Sequence, residues 1–401
     1  MEYRRDPPGA QSQPRGPRAA FLWSERFRTR SYGSNHPLAI PRVALTFDLV
    51  ASYGGFAPGE IVEARQATAE ELGWFHDWDY LEAFARADAE QRVDPQCRET
   101  YGLGTLENPY FRDFYTVPAI AAGASIQAAE FLLGGRIAFN PAGGMHHARP
   151  GAAQGFCYLN DPALAILRLR REGLRVLYVD IDAHHGDGVE AAFRDDPEVL
   201  TLSLHMDTGY AYPFAAGTFE DQGSAAGGFT TLNVPLPRGV HDAEYELIFD
   251  AAWTPALERF RPDAVVLQAG ADALYLDPLA RLNLTTQGFL AVAAKILGSA
   301  PRHADGTPRL MVTGGGGYHL LGVARAWAGL WALLAGRDLP EAIPPSGQAA
   351  LRATGWDLDE DEPYFSALFQ SRLDAPSDAP VRPGIRALAG RIASHRLFWR
   401  N

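Results

Sequence analysis

Cysteine and lysine are almost missing from this chain. Two cysteines, Cys97 and Cys157, cannot build a disulfide framework or a four-thiolate metal site, and their scarcity fits a reducing cytoplasm. A single lysine, Lys295, leaves the positive charge to arginine, and 36 basic residues stand against 48 acidic ones for a net charge of -12. A nucleic-acid footprint is therefore not expected. No apolar run approaches the roughly 20 residues of a membrane span, and the N-terminus lacks the apolar core of a signal peptide, so export is not expected either. No internal repeat is present. At 401 residues and 47% hydrophobic, the chain can bury a large core as one α/β domain or two smaller ones.

The chemistry is concentrated in one stretch, Leu177 to Glu190, reading LYVDIDAHHGDGVE. It opens as an apolar, partly β-branched strand with no polar face, which suits a strand buried on both sides. It then delivers Asp180, Asp182, His184, His185 and Asp187. On an extended chain Asp180, Asp182 and His184 share one face. Carboxylates and imidazoles at the end of a core strand need a partner to offset their desolvation, and a divalent metal supplies one. An Asp-x-His pair suits zinc or a neighbouring transition metal; the plainer alternative is a solvated loop after a strand.

Around this stretch the chain alternates. Strand-like runs are expected at 136–140, 175–180, 199–205, 264–268 and 310–313, with helical runs at 162–172, 244–260, 286–297 and 321–334. That alternation predicts a mainly parallel α/β sheet covered on both faces. Upstream, 42–50 has helical apolar spacing, 67–87 suggests one or two short helices, 101–112 a long loop, and 119–133 a buried helix ended by Gly134-Gly135. Residues 1–19, rich in Pro, Gly, Arg and Gln, are assigned to a disordered tail. Residues 337–401 are assigned to a proline- and aspartate-rich extension that ends in one short helix and packs on the 20–336 domain.

Three further strands end in reactive side chains: His146-His147 after the first run, Asp272 after the fourth, and four glycines before Tyr318 after the fifth. Singly, these could be core histidines, a helix cap and a tight turn. In open α/β sheets, loops at the carboxyl ends of strands converge on one crevice, and their joint occurrence favours a site.

Taken together, GGMHHARPGAAQGFCYLND, DIDAHHGDGVE, GADALYLDPL and GGGGY, in that order, with HPLAIPRVALTFDL upstream, resemble the zinc-dependent histone deacetylase family, close to its bacterial acetoin-utilisation branch. The resemblance covers residues 20 to 336. It implies an arginase–deacetylase fold with a central sheet of about eight strands between helices. It implies Zn²⁺ held by Asp182, His184 and Asp272. His146 and His147 would act on water, with Asp180 and Asp187 as their carboxylate partners, and Tyr318 would polarise the substrate carbonyl. Gly155, Phe156 and Tyr212 would wall an acyl-lysine tunnel with Leu279 at its rim; Gly316 would also contact substrate, and Arg42 would lie at the base of the acetate pocket. A K⁺ ion near the zinc would be held by backbone carbonyls and Ser203.

The implied activity is hydrolysis of acetyl or other short acyl groups from protein lysines by a cytoplasmic enzyme. Small acyl amines such as acetylpolyamines are the alternative substrate, and a catalytically silent binding protein is the third reading. Nothing in the residues indicates the oligomeric state. Two departures stand out. The loop Tyr212-Pro213-Phe214-Ala215-Ala216-Gly217-Thr218-Phe219 is longer than the compact turn usual in the family, and Tyr275 and Leu276 replace small residues often found after the third ligand. The loop after Tyr101 follows the bacterial branch, and in it Glu107 or Asn108 could place a polar group toward the substrate. His185 is left as a packing or supporting residue, and Cys157 as a small buried hydrophobe.

Overall fold

The computed structural model describes residues 18–29, 32–33, 36–354, 365–375, 377 and 379–395. Eight strands form one sheet: β1 (Ala19–Trp23), β2 (Ile61–Glu63), β3 (Ile137–Asn140), β4 (Val176–Asp180), β5 (Val199–Met206), β6 (Thr231–Leu236), β7 (Ala264–Gln268) and β8 (Leu310–Thr313). Every pairing is parallel, in the order β2-β1-β3-β8-β7-β4-β5-β6. This is the arginase–deacetylase arrangement expected. β1, β3, β4, β5, β7 and β8 are buried at every position, which is why they read as apolar runs without alternation.

The helices are α1 (Arg42–Ser52), α2 (Ala69–Leu72), α3 (Trp78–Ala89), α4 (Pro95–Tyr101), α5 (Thr116–Leu133), α6 (Asp161–Arg170), α7 (Asp187–Phe193), α8 (Asp242–Phe260), α9 (Thr286–Ser299), α10 (Leu320–Leu334), α11 (Pro345–Arg352), α12 (Phe365–Gln370) and α13 (Pro383–Ala393). α5 alone, among the described residues, is long and apolar enough to cross a membrane, with mean hydropathy 1.3. Its alanine-rich surface instead packs on α6 and β3 in the core.

Three strands escape the sequence reading. β2 and β6 are the two edges of the sheet, β2 having three residues and β6 carrying Pro235, which is tolerated because an edge strand need not donate on its outer side. β1 begins at Ala19, inside the stretch assigned to a disordered tail; residues 1–17 of that stretch lie outside the described residues. Among its described residues the extension ends in the short helix expected, α13, and holds two more, α11 and α12. α11 packs on α1, α12 on α10 and α13 on α8.

What fixes the site is the register. Asn233 on β6 pairs with Ser203 on β5, Ser203 with Asp180 on β4, Asp180 with Gln268 on β7, Gln268 with Thr313 on β8, and Thr313 with Asn140 on β3. A buried polar row thus crosses six strands at the carboxyl edge of an apolar sheet. The loops carrying His146-His147, Asp182-His184, Asp272 and Tyr318 leave β3, β4, β7 and β8, four consecutive central strands.

The extension is tied in by charge. Arg325 of α10, 1% exposed, donates through Nη2 to Asp374 Oδ1 at 2.5 Å and through Nε to Ser371 O at 2.8 Å. Asp374 Oδ2 also accepts from the backbone N–H and hydroxyl of Thr286, at 2.9 Å each, where α9 begins. Asp374→Ala should therefore strand a buried guanidinium and cost roughly 2 kcal/mol of folding stability, read as a lower urea midpoint. An unchanged midpoint would mean that the extension is not an integral part of the domain.

Candidate active site

The site begins with three ligand atoms from two strand ends. Asp182, His184 and Asp272 each offer one, all within 4.8 Å of one another. His184 Nδ1 lies 3.2 Å from Asp182 Oδ1 and 2.9 Å from Asp272 Oδ2. The second oxygen of each carboxylate is occupied: Asp182 Oδ2 accepts from Gly316 N–H at 2.6 Å and Gln268 Nε2 at 2.8 Å, and Asp272 Oδ1 accepts from Ala183 N–H at 2.7 Å. These bonds aim the remaining oxygens at one point. Glycine is required alongside, since a Cβ at Gly316 would lie 2.0 Å from Asp272 Oδ2.

The electrostatics say what belongs at that point. Burial and the adjacent Asp182 charge push the Asp272 carboxyl up to about 6. Against its own burial, the two carboxylates raise the His184 imidazole well above its ordinary value. The cradle favours positive charge, and its one-nitrogen, two-oxygen donor set with an open side fits a zinc-type dication.

Next to the cradle stand two histidine–carboxylate pairs. His146 Nδ1 lies 2.8 Å from Asp180 Oδ2, and His147 Nδ1 lies 2.7 Å from Asp187 Oδ1. Each carboxylate fixes its ring's tautomer and leaves Nε2 facing the site, where the two Nε2 atoms are 3.1 Å apart. Their charges are divided. Burial opposes protonation of His146, but Asp180 and then Asp182 outweigh it and raise it to about 9. Burial, followed by the His146 charge, lowers His147 to about 4. The surroundings thus favour the cation on His146 and the free base on His147. Asp187 is further held by Arg149 Nη2 at 2.5 Å and Gln154 Nε2 at 2.9 Å, and Tyr178 donates to Asp180 at 2.6 Å.

Above the cradle a cleft of about 380 Å³ runs outward past His184, Tyr318, His147 and Tyr212, with Gly155, Phe156 and Leu279 also in its lining. Tyr212 stands edge-on to His147 at 4.9 Å, and Phe156 edge-on to Tyr318 at 5.9 Å. Phe214, 60% exposed in the long Tyr212–Phe219 loop, joins the lining. Arg42 is buried behind Tyr318, where Nη1 donates to Gly317 O at 3.0 Å and the guanidinium sits 5.3 Å from the Trp327 ring centroid. Gly316 is placed against the cradle rather than in the outer cleft. Glu107, not Asn108, reaches the cleft: its Oε1 accepts from Gly155 N–H at 3.0 Å, whereas Asn108 is buried and donates to Cys157 O at 3.3 Å.

His185 takes a packing role, with Nε2 2.7 Å from Glu190 and its ring 4.6 Å from that of His205. Cys157 is buried, its Sγ 3.2 Å from Gly155 O. Three supporting residues are absent from the sequence reading. Gln268 holds Asp182. Asp277 accepts the Tyr318 N–H at 2.7 Å and, chiefly through burial, is pushed up to about 8. Asp161 accepts from Gly144 N–H at 2.9 Å and Met145 N–H at 2.8 Å, setting the turn before His146. Gln268 alone is marked in the sequence, as the polar end of an apolar strand, but that mark does not say which residue it holds.

Comparison with known proteins gives one answer. The histone deacetylase domain model matches residues 36–334. The chain is 36% identical over 331 residues to the acetoin utilization protein AcuC of Bacillus subtilis, covering 82% of this chain and 84% of that protein. It is 40% identical over 306 residues to histone deacetylase 8 of Xenopus tropicalis, covering 76% of this chain and 80% of that one. The crystal structure of an HDAC homolog from Aquifex aeolicus superposes with a TM-score of 0.88 at 35% identity, covering 94% of this chain and all of the other.

Proposed function

The chain belongs to the histone deacetylase family, and from that premise we propose that it is a zinc-dependent hydrolase that removes acetyl or other short acyl groups from lysine side chains of proteins, with residues 20–336 as its catalytic domain. The observation that carries the reading is the convergence of two histidine–aspartate pairs, their imidazoles shifted in opposite directions, on a cation cradle at the foot of an aromatic-walled cleft. Zinc held by Asp182, His184 and Asp272 would supply a Lewis acid that lowers the pKa of water from about 15.7 toward about 7 and polarises a carbonyl.

The chain's own groups account for the remaining proton chemistry. His147, unprotonated at neutral pH, takes a proton on Nε2 as water adds to the amide carbon. The cationic His146 beside it and the Tyr318 hydroxyl stabilise the oxyanion. When the C–N bond breaks, the protonated His147 returns its proton to the departing lysine amine. Asp180 and Asp187 keep both rings in position throughout. Phe156 and Tyr212 enclose the lysine stem, burying methylenes at about 0.8 kcal/mol each. A K⁺ ion held by carbonyls and Ser203 belongs to the same reading; Ser203 supports it by standing in register beside Asp180. A cytoplasmic location goes with it.

One observation favours a second reading: Glu107 puts a carboxylate on the cleft, where the distal ammonium of an acetylpolyamine could pair with it. Two features weigh against this. One Glu107 oxygen, Oε1, already accepts from Gly155 N–H, and Arg238 and Arg281 line the same cleft and repel a polycation. Acyl-lysine peptides should be turned over with kcat/KM at least about tenfold above acetylputrescine or acetylspermidine, roughly 1.4 kcal/mol in the transition state. A preference for the free acetylpolyamines in that comparison would reverse the substrate class.

A further inference from the structure

We infer that the cleft's rim carries a carboxylate-binding subsite, formed by Arg238 and Arg281, that reads an acidic group on the substrate next to the acyl-lysine. The inference deepens the acyl-lysine reading and rests on it. Both guanidiniums line the cleft that also reaches His184 and Tyr318. Arg238 lies over the Tyr210 ring, 4.4 Å from its centroid. Arg281 Nη1 donates to Pro278 O at 3.2 Å and Ala280 O at 2.7 Å, leaving its other nitrogens for a ligand. Among the described residues, neither guanidinium forms an ion pair with a carboxylate. On a chain of net charge -12, two arginines without an ion-pair partner, in a cleft whose one lining carboxylate is Glu107, run against the overall charge.

Their placement is fixed by backbone, although they stand 43 residues apart in sequence (281 − 238). Gly239 N–H donates to Arg281 O at 2.7 Å and Asn283 N–H to Val240 O at 2.8 Å, so the two arginine-bearing turns are stitched side by side. Arg281 N–H is also held by Met206 Sδ at 3.2 Å, where β5 ends. From behind, Arg382 donates to Arg238 O at 3.0 Å while gripping Glu244 through two bonds of 2.7 and 2.6 Å. The C-terminal extension thus braces the turn that presents Arg238.

Such a pair suits a carboxylate. A guanidinium is always charged and offers a planar fork of donors that matches two carboxylate oxygens. With the acylated stem in the cleft, the substrate's neighbouring groups must rest on the rim. A Lys or Arg beside the acyl-lysine would meet two like charges there, and an Asp or Glu would meet its complement.

The test uses the zinc-loaded full chain and acetyl-lysine peptides identical except for one flanking residue: Asp or Glu, Ala, or Arg, before or after the acetyl-lysine. At low salt, kcat/KM should be about tenfold higher for an acidic than for an alanine flank on one side, and lowest for arginine. The preference should weaken as salt is raised. It should collapse toward one in the Arg238→Met/Arg281→Met protein and invert in Arg238→Glu/Arg281→Glu. Nε-acetyl-lysine as free acid against its amide identifies the source: a gain confined to the free acid would assign the subsite to an α-carboxylate instead of a side chain. Equal rates across all flanks and for both acid and amide in the unaltered protein would overturn the subsite. Failure to hydrolyse any acyl-lysine compound would instead strike the substrate reading on which it rests.

Discussion

Asp272→Ala should strip the metal from this protein and lower its rate of acyl-lysine hydrolysis by at least about 10⁴-fold, some 5.5 kcal/mol of barrier. The side chain closes the cradle from β7, while Asp182 and His184 approach from β4. With it gone, one anionic ligand and the 2.9 Å contact to His184 Nδ1 are lost together. The fold should survive. Asp272 Oδ1 accepts the Ala183 N–H at 2.7 Å, and orphaning a buried amide costs about 1–3 kcal/mol. A domain with a typical 5–15 kcal/mol of stability can lose that much and stay folded. Metal analysis should give one zinc per chain before the substitution and close to none after it, with circular dichroism little changed. Asp182→Ala and His184→Ala should behave alike. Two equivalents of zinc at this site, or an active Asp272→Ala protein, would remove the assignment.

The proposed ligands Asp182 and His184, with the flanking Asp180 and Asp187, stand out in the sequence because an apolar strand that ends in acids and imidazoles is chemically expensive without a partner, and the cost can be seen in the residues themselves. Asp180, Asp182, His184 and Asp187 lie within eight positions and share one strand end. The residues that aim them were not legible for the opposite reason. Gln268 acts on Asp182 only because β7 pairs with β4 with Gln268 beside Asp180, and nothing in either segment announces that register. Asp277 reads as a turn residue before a proline, yet its Oδ2 holds the backbone of Tyr318, 41 residues on. The missed edge strands follow the same division: β2 is short and partly exposed, and β6 carries Pro235 with the buried polar Thr231 and Asn233, so the apolar signal weakens. Glu107 could not be told from Asn108 by sequence, since a loop's polar neighbours are sorted only by which one finds a buried partner.

Tyr318→Phe should keep zinc and leave KM nearly unchanged, while lowering kcat by about 10² to 10³, or 2.7–4 kcal/mol of transition-state stabilisation. The ring is held independently of its hydroxyl. The Tyr318 N–H is taken by Asp277 and the preceding Gly317 carbonyl by Arg42, and the ring meets Phe156 and His184 edge-on. Removing one oxygen therefore leaves the aromatic surface in place, and substrate binding with it. The glycine before it is equally constrained: Gly317 has φ +134, and a Cβ there would lie 2.6 Å from Val323. Burial first, then the Asp272 and Asp182 charges, push the phenol well above its ordinary value. The hydroxyl thus stays protonated and able to donate across the neutral range, so loss of this donor sets no alkaline limb to the rate there. Its donation matters most once the carbonyl oxygen becomes an oxyanion, which is why the loss should fall on kcat. Steady-state rates, metal content and the affinity of an unreactive substrate analogue, measured on the same preparations, separate the cases. If Tyr318→Phe raised KM and spared kcat, the tyrosine would be a binding group, and the oxyanion would depend on His146 and the metal alone.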